Sequence, residues 1–456
     1  MNNHDGLRQV RTAGRSNTIW RKLPEDAFRG HLIALERLTN AVPIDTQVFE
    51  LEQDATDDAD TYRILSLRTE QQVADDFAFL AAVQEGAQSV AAVCLEQHLS
   101  NKSSLKARLA AIDTLDEKVK STLNNICGIL MRISTHNDAS EHDCIEELFQ
   151  LIIVQHHSRL LARLRSRKWL KPRYLAASHK KPLWQDLANV VHRVQHAYPR
   201  RKEQEARRQV EQDFIHLASV YEDFESCEDD EQERVITNLV QLTYELCRRP
   251  YIRDFASKLE SLRPTAQIAA AIKSLHQLEK IGAYYRIAKT LISTAIRYRG
   301  LFGDISLEYL TPYASTPTSI AYESWAKTCH VHAEIQLVVD YDLCGQKAED
   351  SAGNAIVVWP RVIGTSKYLC YLCYRFITHH GRFFVTNTHG RLYDQWTVPD
   401  LEAYEETLRA RYAAVLEKID DEVRTMSDEV GGNGLWRAEP MTSRQNLLLH
   451  DAGPSM

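Results

Sequence analysis

Two stretches of the chain decide its fold: TCHVHAEIQLVVDYDL at residues 328–343 and GTSKYLCYLCYRFI at residues 364–377. The first stretch contains a His-Ala-Glu triplet, and the second contains a Cys-x-x-Cys pair. One imidazole and two thiolates are good zinc ligands, and the glutamate adds a carboxylate that the metal does not need. This set of groups is typical of a catalytic zinc site, in which three protein ligands leave the fourth position open for water.

The spacing within each stretch is compatible with one shared metal ion. Cys370 and Cys373 lie three residues apart, so on one helical turn both sulfurs face the same way. His332 and Glu334 lie only two apart and would point to different faces in the middle of a helix. Both side chains reach one site only if a helix begins at about the triplet. We therefore predict such a helix, with His332, Cys370 and Cys373 as the zinc ligands and Glu334 unbound beside them.

Zinc deaminases of nucleobases carry an H-x-E and a P-C-x-x-C signature, with the glutamate as proton shuttle. Here HAEIQL, IGTSKYLCYLC and THGRLYDQW resemble the OTT-type deaminase-like family, a fungal-type branch of that superfamily, over roughly residues 300–400. Leu369 stands where many deaminases have proline. The resemblance implies a cytidine-deaminase-like α/β/α domain with a mixed sheet, a Zn²⁺ cofactor and a catalytic Glu334.

The resemblance also implies the reaction, which is hydrolytic deamination of a cytosine or adenine in a nucleotide or nucleic acid. Ser366, Lys367 and His389 match motifs of the narrower family, and we predict that they contact the substrate. Free nucleoside, nucleotide, RNA and single-stranded DNA all stay open as substrates.

Two other interpretations remain open at this point. Cys329 or His330 could supply a fourth ligand and close the site, since structural zinc takes four protein ligands. Alternatively, the chain is a non-catalytic helical interaction protein that carries a structural deaminase-like zinc module.

Composition excludes some classes of protein. The 456-residue chain has a formal net charge of −7, which argues against a chain-wide electrostatic grip on nucleic acid. No apolar run approaches the roughly 18 residues of a membrane span. Nine scattered cysteines, an odd number, favour a reducing compartment over a disulfide framework. We therefore expect an intracellular protein, cytoplasmic or nuclear, although basic residues 6–22 leave a mitochondrial presequence open.

Hydrophobic periodicity predicts an α+β chain with a large helical N-terminal region. Helical spacing runs almost throughout residues 25–299, including an Ala-rich segment with Phe77, Leu80, Val90 and Val93. Strand-like alternation starts only at Ile305. The predicted segments are a disordered basic arm at 1–24, a helical region at 25–299, a deaminase-like zinc domain at 300–400, a C-terminal helix at 401–430 and a flexible tail at 431–456.

A basic stretch in the helical region is a second candidate for binding. Residues 156–174 carry seven Lys or Arg and no acid, with Trp169 and Tyr174 between them. Such a pattern can hold RNA or single-stranded DNA, although a solvated helix end explains it equally well. The helical region could also bind protein partners.

Overall fold

The structure, a computed structural model, describes residues 7–14, 17–50, 62–84, 86, 89–99, 102–136, 138–171, 181–348, 356–437 and 440. The chain forms two compact units. The first contains residues 1–82, 86–135 and 294–443, and the second contains 83–85, 136–293 and 444–456. The first unit therefore includes the predicted zinc domain together with much of the chain on either side of it.

Helices dominate the described residues. They are α1 Glu25–Thr39, α2 Leu67–Ala81, α3 Glu117–Thr135, α4 Glu141–Leu164, α5 Leu183–Ala197, α6 Gln204–Ser226, α7 Gln232–Arg248, α8 Pro250–Ser261, α9 Ala266–Arg297, α10 Arg299–Phe302, α11 Ala333–Ala348, α12 Tyr371–His380 and α13 Glu406–Val430. The strands are β1 Gln47–Val48, β2 Ala91–Leu99, β3 Ser104–Ala111, β4 Ile305–Tyr309, β5 Thr316–Pro317, β6 Thr328–Cys329, β7 Ile356–Val358, β8 Gly364–Thr365 and β9 Asn387–Thr388.

A mixed sheet organises the first unit. Its order is β4-β3-β2-β7, and β8 also pairs with β2. Strand β2 runs antiparallel to β3, β7 and β8, whereas β3 and β4 are parallel. The mixed sheet and the late strands at residues 305–309 and 356–358 confirm the predicted α+β character.

The prediction of helix throughout residues 25–299 is wrong at β2 and β3, which form the middle of this sheet. The first seven residues of β2 are all buried, because both faces of the strand are covered. Burial on both faces removes the alternation of apolar and polar residues by which a strand is recognised. The alanines and aliphatic residues of β2 therefore appeared to continue the helical spacing of Phe77 and Leu80, which do lie in α2.

Close packing of α2 on β8 holds the chain that leads into the Cys-x-x-Cys stretch. A Cβ at Gly364 would lie 2.2 Å from the backbone carbonyl carbon of Ala74, so only glycine allows this approach. Asp75 on α2 accepts the backbone N–H of Thr365 at 2.8 Å. These contacts fix the backbone five residues before Cys370.

One buried carboxylate joins the three helices α11, α12 and α13. Asp342 on α11 accepts from Tyr412 on α13 at 2.7 Å and lies 2.8 Å from Nε2 of His380 on α12. Arg382 donates to its second oxygen at 3.1 Å. Hydrogen bonds from the tyrosine and His380 hold the pKa of Asp342 below its usual value, although its burial acts in the opposite direction and is the largest effect. The C-terminal helix predicted at 401–430 corresponds to α13, which begins five residues later at Glu406. Of the predicted tail, only residues 431–437 and 440 lie within the described residues.

The described part of the predicted disordered arm is packed against the first unit. Val10 is 5% and Ile19 is 1% exposed, and both belong to its hydrophobic core. Asp400 accepts the backbone N–H of Ile19 at 3.1 Å, and the guanidinium of Arg8 lies 4.1 Å from the ring centroid of Tyr313. The prediction of disorder is wrong here because two well-spaced apolar residues anchor a polar segment. Residues 1–6 lie outside the described residues.

The second unit is entirely helical in its described residues. Helices α4 to α8 and most of α9 bury apolar stripes against one another, with Phe149, Phe214 and Leu239 fully buried. In the first unit, the residues that flank the segment 136–293 lie close together. Ser134 Oγ, at the end of α3, donates to the carbonyl of Ala295 at 3.2 Å.

Most of the basic stretch at 156–174 has partners inside this unit. Arg159 and Arg163 are buried, Arg165 forms an ion pair with Asp186 at 2.7 Å, and Lys168 donates to the carbonyl of Cys227. Residues 172–174 lie outside the described residues. Binding of RNA or single-stranded DNA through this stretch stays a prediction, and the observed pairing favours a structural role for most of its cations. Among the described residues, no helix combines the length and hydrophobicity that crossing a membrane requires.

Packing of the N-terminal segment is testable with a matched pair of substitutions. Ile19→Ala removes a buried side chain, so we expect it to lower the free energy of unfolding by about 2–5 kcal/mol. Ile215→Ala makes the same change at a side chain that is 57% exposed and should have little effect. Urea unfolding followed by circular dichroism compares the two variants; an equal effect of both would show that the segment is not part of the core.

Candidate metal centre

Two helix N-termini meet at the predicted site. Helix α11 begins at Ala333, directly after His332, which confirms the prediction that a helix begins at the triplet. Helix α12 begins at Tyr371, and Cys370 is its N-cap residue. The sulfur of Cys370 accepts the backbone N–H of Cys373 at 3.4 Å. Since helix N-termini carry partial positive charge, both cysteines lie where a thiolate is stabilised.

The three predicted ligands converge. Nδ1 of His332 lies 3.6 Å from the sulfur of Cys370 and 3.4 Å from that of Cys373. All three donor atoms lie within 4.8 Å of one another. Tetrahedral zinc with Zn–N of about 2.0–2.1 Å and Zn–S of about 2.3 Å needs N···S separations of about 3.6 Å. The donor set therefore fits a tetrahedral metal ion without rearrangement.

The ionisation states of His332, Cys370 and Cys373 depend on one another. Burial opposes ionisation of both thiols, but a hydrogen bond from Cys373 and the charge of His332 hold the pKa of Cys370 well below its usual value. Burial and the neighbouring Cys370 thiolate raise the pKa of Cys373. Burial alone would lower the pKa of His332, and the Cys370 thiolate raises it instead. A cation in the middle of this group would favour the ionised form of both sulfurs.

Glu334 lies beside the donors and outside their set. It is 3% exposed, and the thiol of Cys373 donates to its Oε2 at 3.5 Å. Burial raises the pKa of this carboxyl, and the imidazole of His332 opposes that effect. A carboxyl that binds a proton readily and touches the edge of a metal site has the properties of a proton carrier.

The segment 387–396 wraps around the start of α12. The backbone N–H of His389 donates to the carbonyl of Leu369 at 3.0 Å, and that of Tyr371 donates to Arg391 at 2.8 Å. The ring of Tyr393 lies 6.4 Å from that of His332 and 5.9 Å from that of His389. We did not single out Tyr393 in the sequence, although it falls within the THGRLYDQW motif.

His389 is a nearly buried histidine with one ring nitrogen left over. Its Nδ1 accepts the backbone N–H of Arg391 at 3.0 Å, so the neutral ring carries its proton on Nε2. Burial lowers its pKa to about 4, and the side chain is only 4% exposed. Among the described residues, no partner of Nε2 is present. Gly390 permits the turn that follows His389. Its φ is +75°, and a Cβ there would lie 2.1 Å from the carbonyl oxygen of Ile44, so only glycine fits.

Ser366 and Lys367 occupy different positions from His389. Ser366 is buried, and its Oγ accepts the backbone N–H of Ala91, so it joins β8 to β2. Lys367 is half-buried, and its Nζ donates to the carbonyl of Gly86 at 2.8 Å, while its charge contributes to the low pKa of His389. Substrate contact through these two residues stays a prediction, and the observed contact of Ser366 is structural.

The leucine that replaces proline has a defined contact. The backbone N–H of Leu369 donates to Oδ1 of Asn387 at 3.3 Å. Proline has no N–H and could not form this bond. The departure from the broad deaminase signature therefore accompanies a hydrogen bond between the Cys-x-x-Cys stretch and β9, and does not disturb the convergence of the ligands.

Neither of the alternative fourth ligands joins the group. Cys329 is buried on β6, and the ring of His330 lies 3.1 Å from the hydroxyl of Thr328. Within the described residues, the set of mutually close donors contains His332, Cys370 and Cys373 and no fourth member. This arrangement favours an open metal site over a closed structural one.

A surface pocket of about 510 Å³ lies near the C-terminal end of α11, far along the helix from His332. It is lined by Asp342, Gly345, Gln346, Arg382, Thr407, Leu408 and Arg411. None of the predicted site residues lines it. This pocket therefore does not mark the proposed chemistry, which the converging donors indicate.

Metal retention tests the assignment of the ligands. We expect one zinc ion per chain, and Cys373→Ser should sharply lower the zinc content after dialysis, because the hydroxyl is a poor replacement for a thiolate ligand. Cys344→Ser changes a half-buried cysteine outside the donor set and should leave the metal content unchanged. Elemental analysis of both purified variants decides the question; equal loss in both would show that the metal is held elsewhere.

Comparison with known proteins agrees with this geometry. Residues 331–400 match the family model of the OTT_1508-like deaminases. No curated protein and no solved structure matches the chain. The matched segment contains the three converging donors, Glu334 and the wrapping segment 387–396. The similarity to the OTT_1508-like deaminases therefore covers residues 331–400, which include every residue of the candidate metal centre.

Proposed function

We propose that this protein is a zinc-dependent hydrolytic deaminase that converts an amino group on a nucleobase, in a nucleotide or nucleic acid, into a carbonyl with release of ammonia. One observation carries the proposal: His332, Cys370 and Cys373 converge as three ligands while the Glu334 carboxylate stays outside the set. A structural zinc module would have no need of a buried, unbound carboxyl group at that position.

Zinc held by these three donors would lower the pKa of water toward about 7 and so supply a nucleophile at neutral pH. Glu334 then acts twice as a proton carrier. It accepts one proton from the attacking water and donates it to the ring nitrogen, and it then accepts the second proton of the same oxygen and donates it to the departing amine. Water and the aminated base are consumed, and the carbonyl base and ammonia are formed.

His389 is suited to position the base. Its Nε2–H is the one polar group of that ring without a partner among the described residues. The ring lies close enough to Cys370 and His332 for their charges to affect its pKa. A neutral donor held in a fixed tautomer can recognise a ring carbonyl or an unprotonated ring nitrogen of the target base. Lys367 and Arg391, whose charges also reach His389, add positive potential that suits a substrate phosphate.

Replacement of the proton carrier tests the mechanism. Glu334→Gln keeps the shape of the side chain and removes its ability to exchange protons, so we expect it to retain zinc and lower ammonia release by at least about 10²–10⁴-fold. The assay measures ammonia from zinc-loaded protein incubated with nucleobases, nucleosides, nucleotides and oligonucleotides.

Glu205→Gln provides the control, because Glu205 is exposed on α6 and lies outside the donor set. It should retain the parent rate. If the parent protein releases ammonia and Glu334→Gln does so at the same rate, the proposed role is wrong. If no substrate yields ammonia with the zinc-loaded parent, the non-catalytic interpretation gains support.

Replacement of the proposed base contact separates binding from chemistry. His389→Ala should raise KM by about 2- to 15-fold, the loss expected for one neutral hydrogen bond, with a smaller effect on kcat and with zinc retained. His98→Ala, a half-buried histidine on β2 that pairs with Glu96, serves as the control. A fall in kcat with KM unchanged, or loss of zinc, would assign His389 another role.

A further inference from the structure

We propose that the exposed indole of Trp325 is a stacking platform for a base next to the target base, so that the substrate is a single-stranded polynucleotide and not a free base or nucleoside. The inference rests on the proposed function, because it concerns the substrate of the same site. Trp325 lies on the loop 318–327, which joins β5 to β6 and leads directly into His332.

Trp325 leaves most of its indole in water, as Trp436 does after α13. The side chain is 73% exposed, whereas Trp396, nearer the donors, is fully buried. A large aromatic side chain left in water usually serves recognition when it lies at a functional site. Bases next to an unpaired target are themselves free to stack on an aromatic ring.

The loop is tied to the wall of the metal centre. The backbone N–H of Tyr322 donates to Oδ2 of Asp394 at 2.7 Å, and Asp394 directly follows Tyr393, whose ring packs near His332. At the base of the loop, Thr318 N–H donates to the carbonyl of Lys327 at 2.9 Å. Trp325 is thus held on a short loop anchored beside the site.

The chain beyond the loop is fixed as well. His330 exchanges backbone hydrogen bonds with the segment 395–397, donating to Gln395 at 2.6 Å and accepting from Thr397 at 3.0 Å. The loop, the wall formed by residues 393–397 and His332 are therefore parts of one connected framework. A base on Trp325 would be held at a defined place relative to the site.

Charge around the loop is compatible with a phosphate backbone. Lys327 is exposed two residues after Trp325, and Lys367 and Arg391 flank His389. Acids are present as well: Glu323 is exposed on the loop, and Asp394 and Glu36 lie behind it. Burial and the nearby Asp394 raise the pKa of Glu36 to about 8, so Glu36 is largely uncharged at neutral pH. The carboxylate of Asp394 is engaged by the N–H of Tyr322.

Binding to a catalytically silent protein tests the inference. Full-length, zinc-loaded Glu334→Gln is titrated against fluorescein-labelled single-stranded RNA and DNA of about 12 nucleotides, and anisotropy gives Kd. Adding Trp325→Ala should weaken oligonucleotide binding by roughly 5- to 150-fold, the range for one lost stacked base. Trp325→Phe should lose less because it keeps an aromatic face. Binding of the matching nucleoside monophosphate should not change.

Trp436→Ala is the matched control, because Trp436 is 75% exposed but lies on the segment after α13. It should bind oligonucleotides as the parent does. Equal binding by Trp325→Ala and its parent, or an equal loss for the mononucleotide, overturns the inference. So does a change in sedimentation on Trp325→Ala, which would assign the indole to a contact between copies of the chain.

The result is separable from the proposed chemistry. Oligonucleotide binding that depends on Trp325, without ammonia release by the parent protein, refutes the deaminase activity and keeps the platform. Ammonia release from free nucleosides but not from oligonucleotides keeps the activity and refutes the platform. The RNA and DNA arms show which polynucleotide binds more tightly.

Discussion

The structure depends on one constraint: helices α11 and α12 must begin next to each other. Only there can a residue just before one helix meet the capping residue and the first turn of the other. The partial positive charge of both helix N-termini favours negative charge on the sulfurs, and the N–H of Cys373 on α12 donates directly to the sulfur of Cys370. The sheet, the Asp342 junction and the wrapping segment all hold these two helix ends in place. A displacement of either helix would separate His332 from the sulfurs.

The local sequence was sufficient to predict the metal centre because each ligand motif is short and its geometry is set within one helical turn. His-Ala-Glu and Cys-x-x-Cys each sit at a helix start, and the ligand spacing is set within one helical turn. The late strand at Ile305 was equally visible, because it alternates. Strand β2 was not visible, since burial on both faces leaves an Ala-rich run with no period of two. Strand β3 does alternate at Leu105, Ala107 and Leu109, but the helical interpretation of the surrounding region hid this short pattern. Strand β3 pairs with β4, which lies more than 190 residues later in the chain. No local sequence pattern reveals such a pairing.

Other features required contacts that are distant in sequence. The segment around Val10 and Ile19 has the composition of a free arm, and only its contact with Asp400 and its place in the hydrophobic core show that it is packed. The motif was sufficient to predict His389 as a site residue. Its tautomer, however, is set by the N–H of Arg391, and the turn at Gly390 is set by close contact with Ile44. The exposure of Trp325 has no signature in the sequence, because a tryptophan in a polar loop is equally compatible with burial.

The 3.2 Å hydrogen bond between Ser134 and Ala295 has a consequence for how this protein is constructed. Within the first unit, the ends of the segments 86–135 and 294–443 therefore lie next to each other, although 158 residues separate them in the sequence. The first unit is continuous in space but divided in the sequence, and a clone limited to residues 331–400 would lack the two middle strands of its own sheet. A short linker joining residue 135 to residue 294 is the natural way to isolate that unit intact.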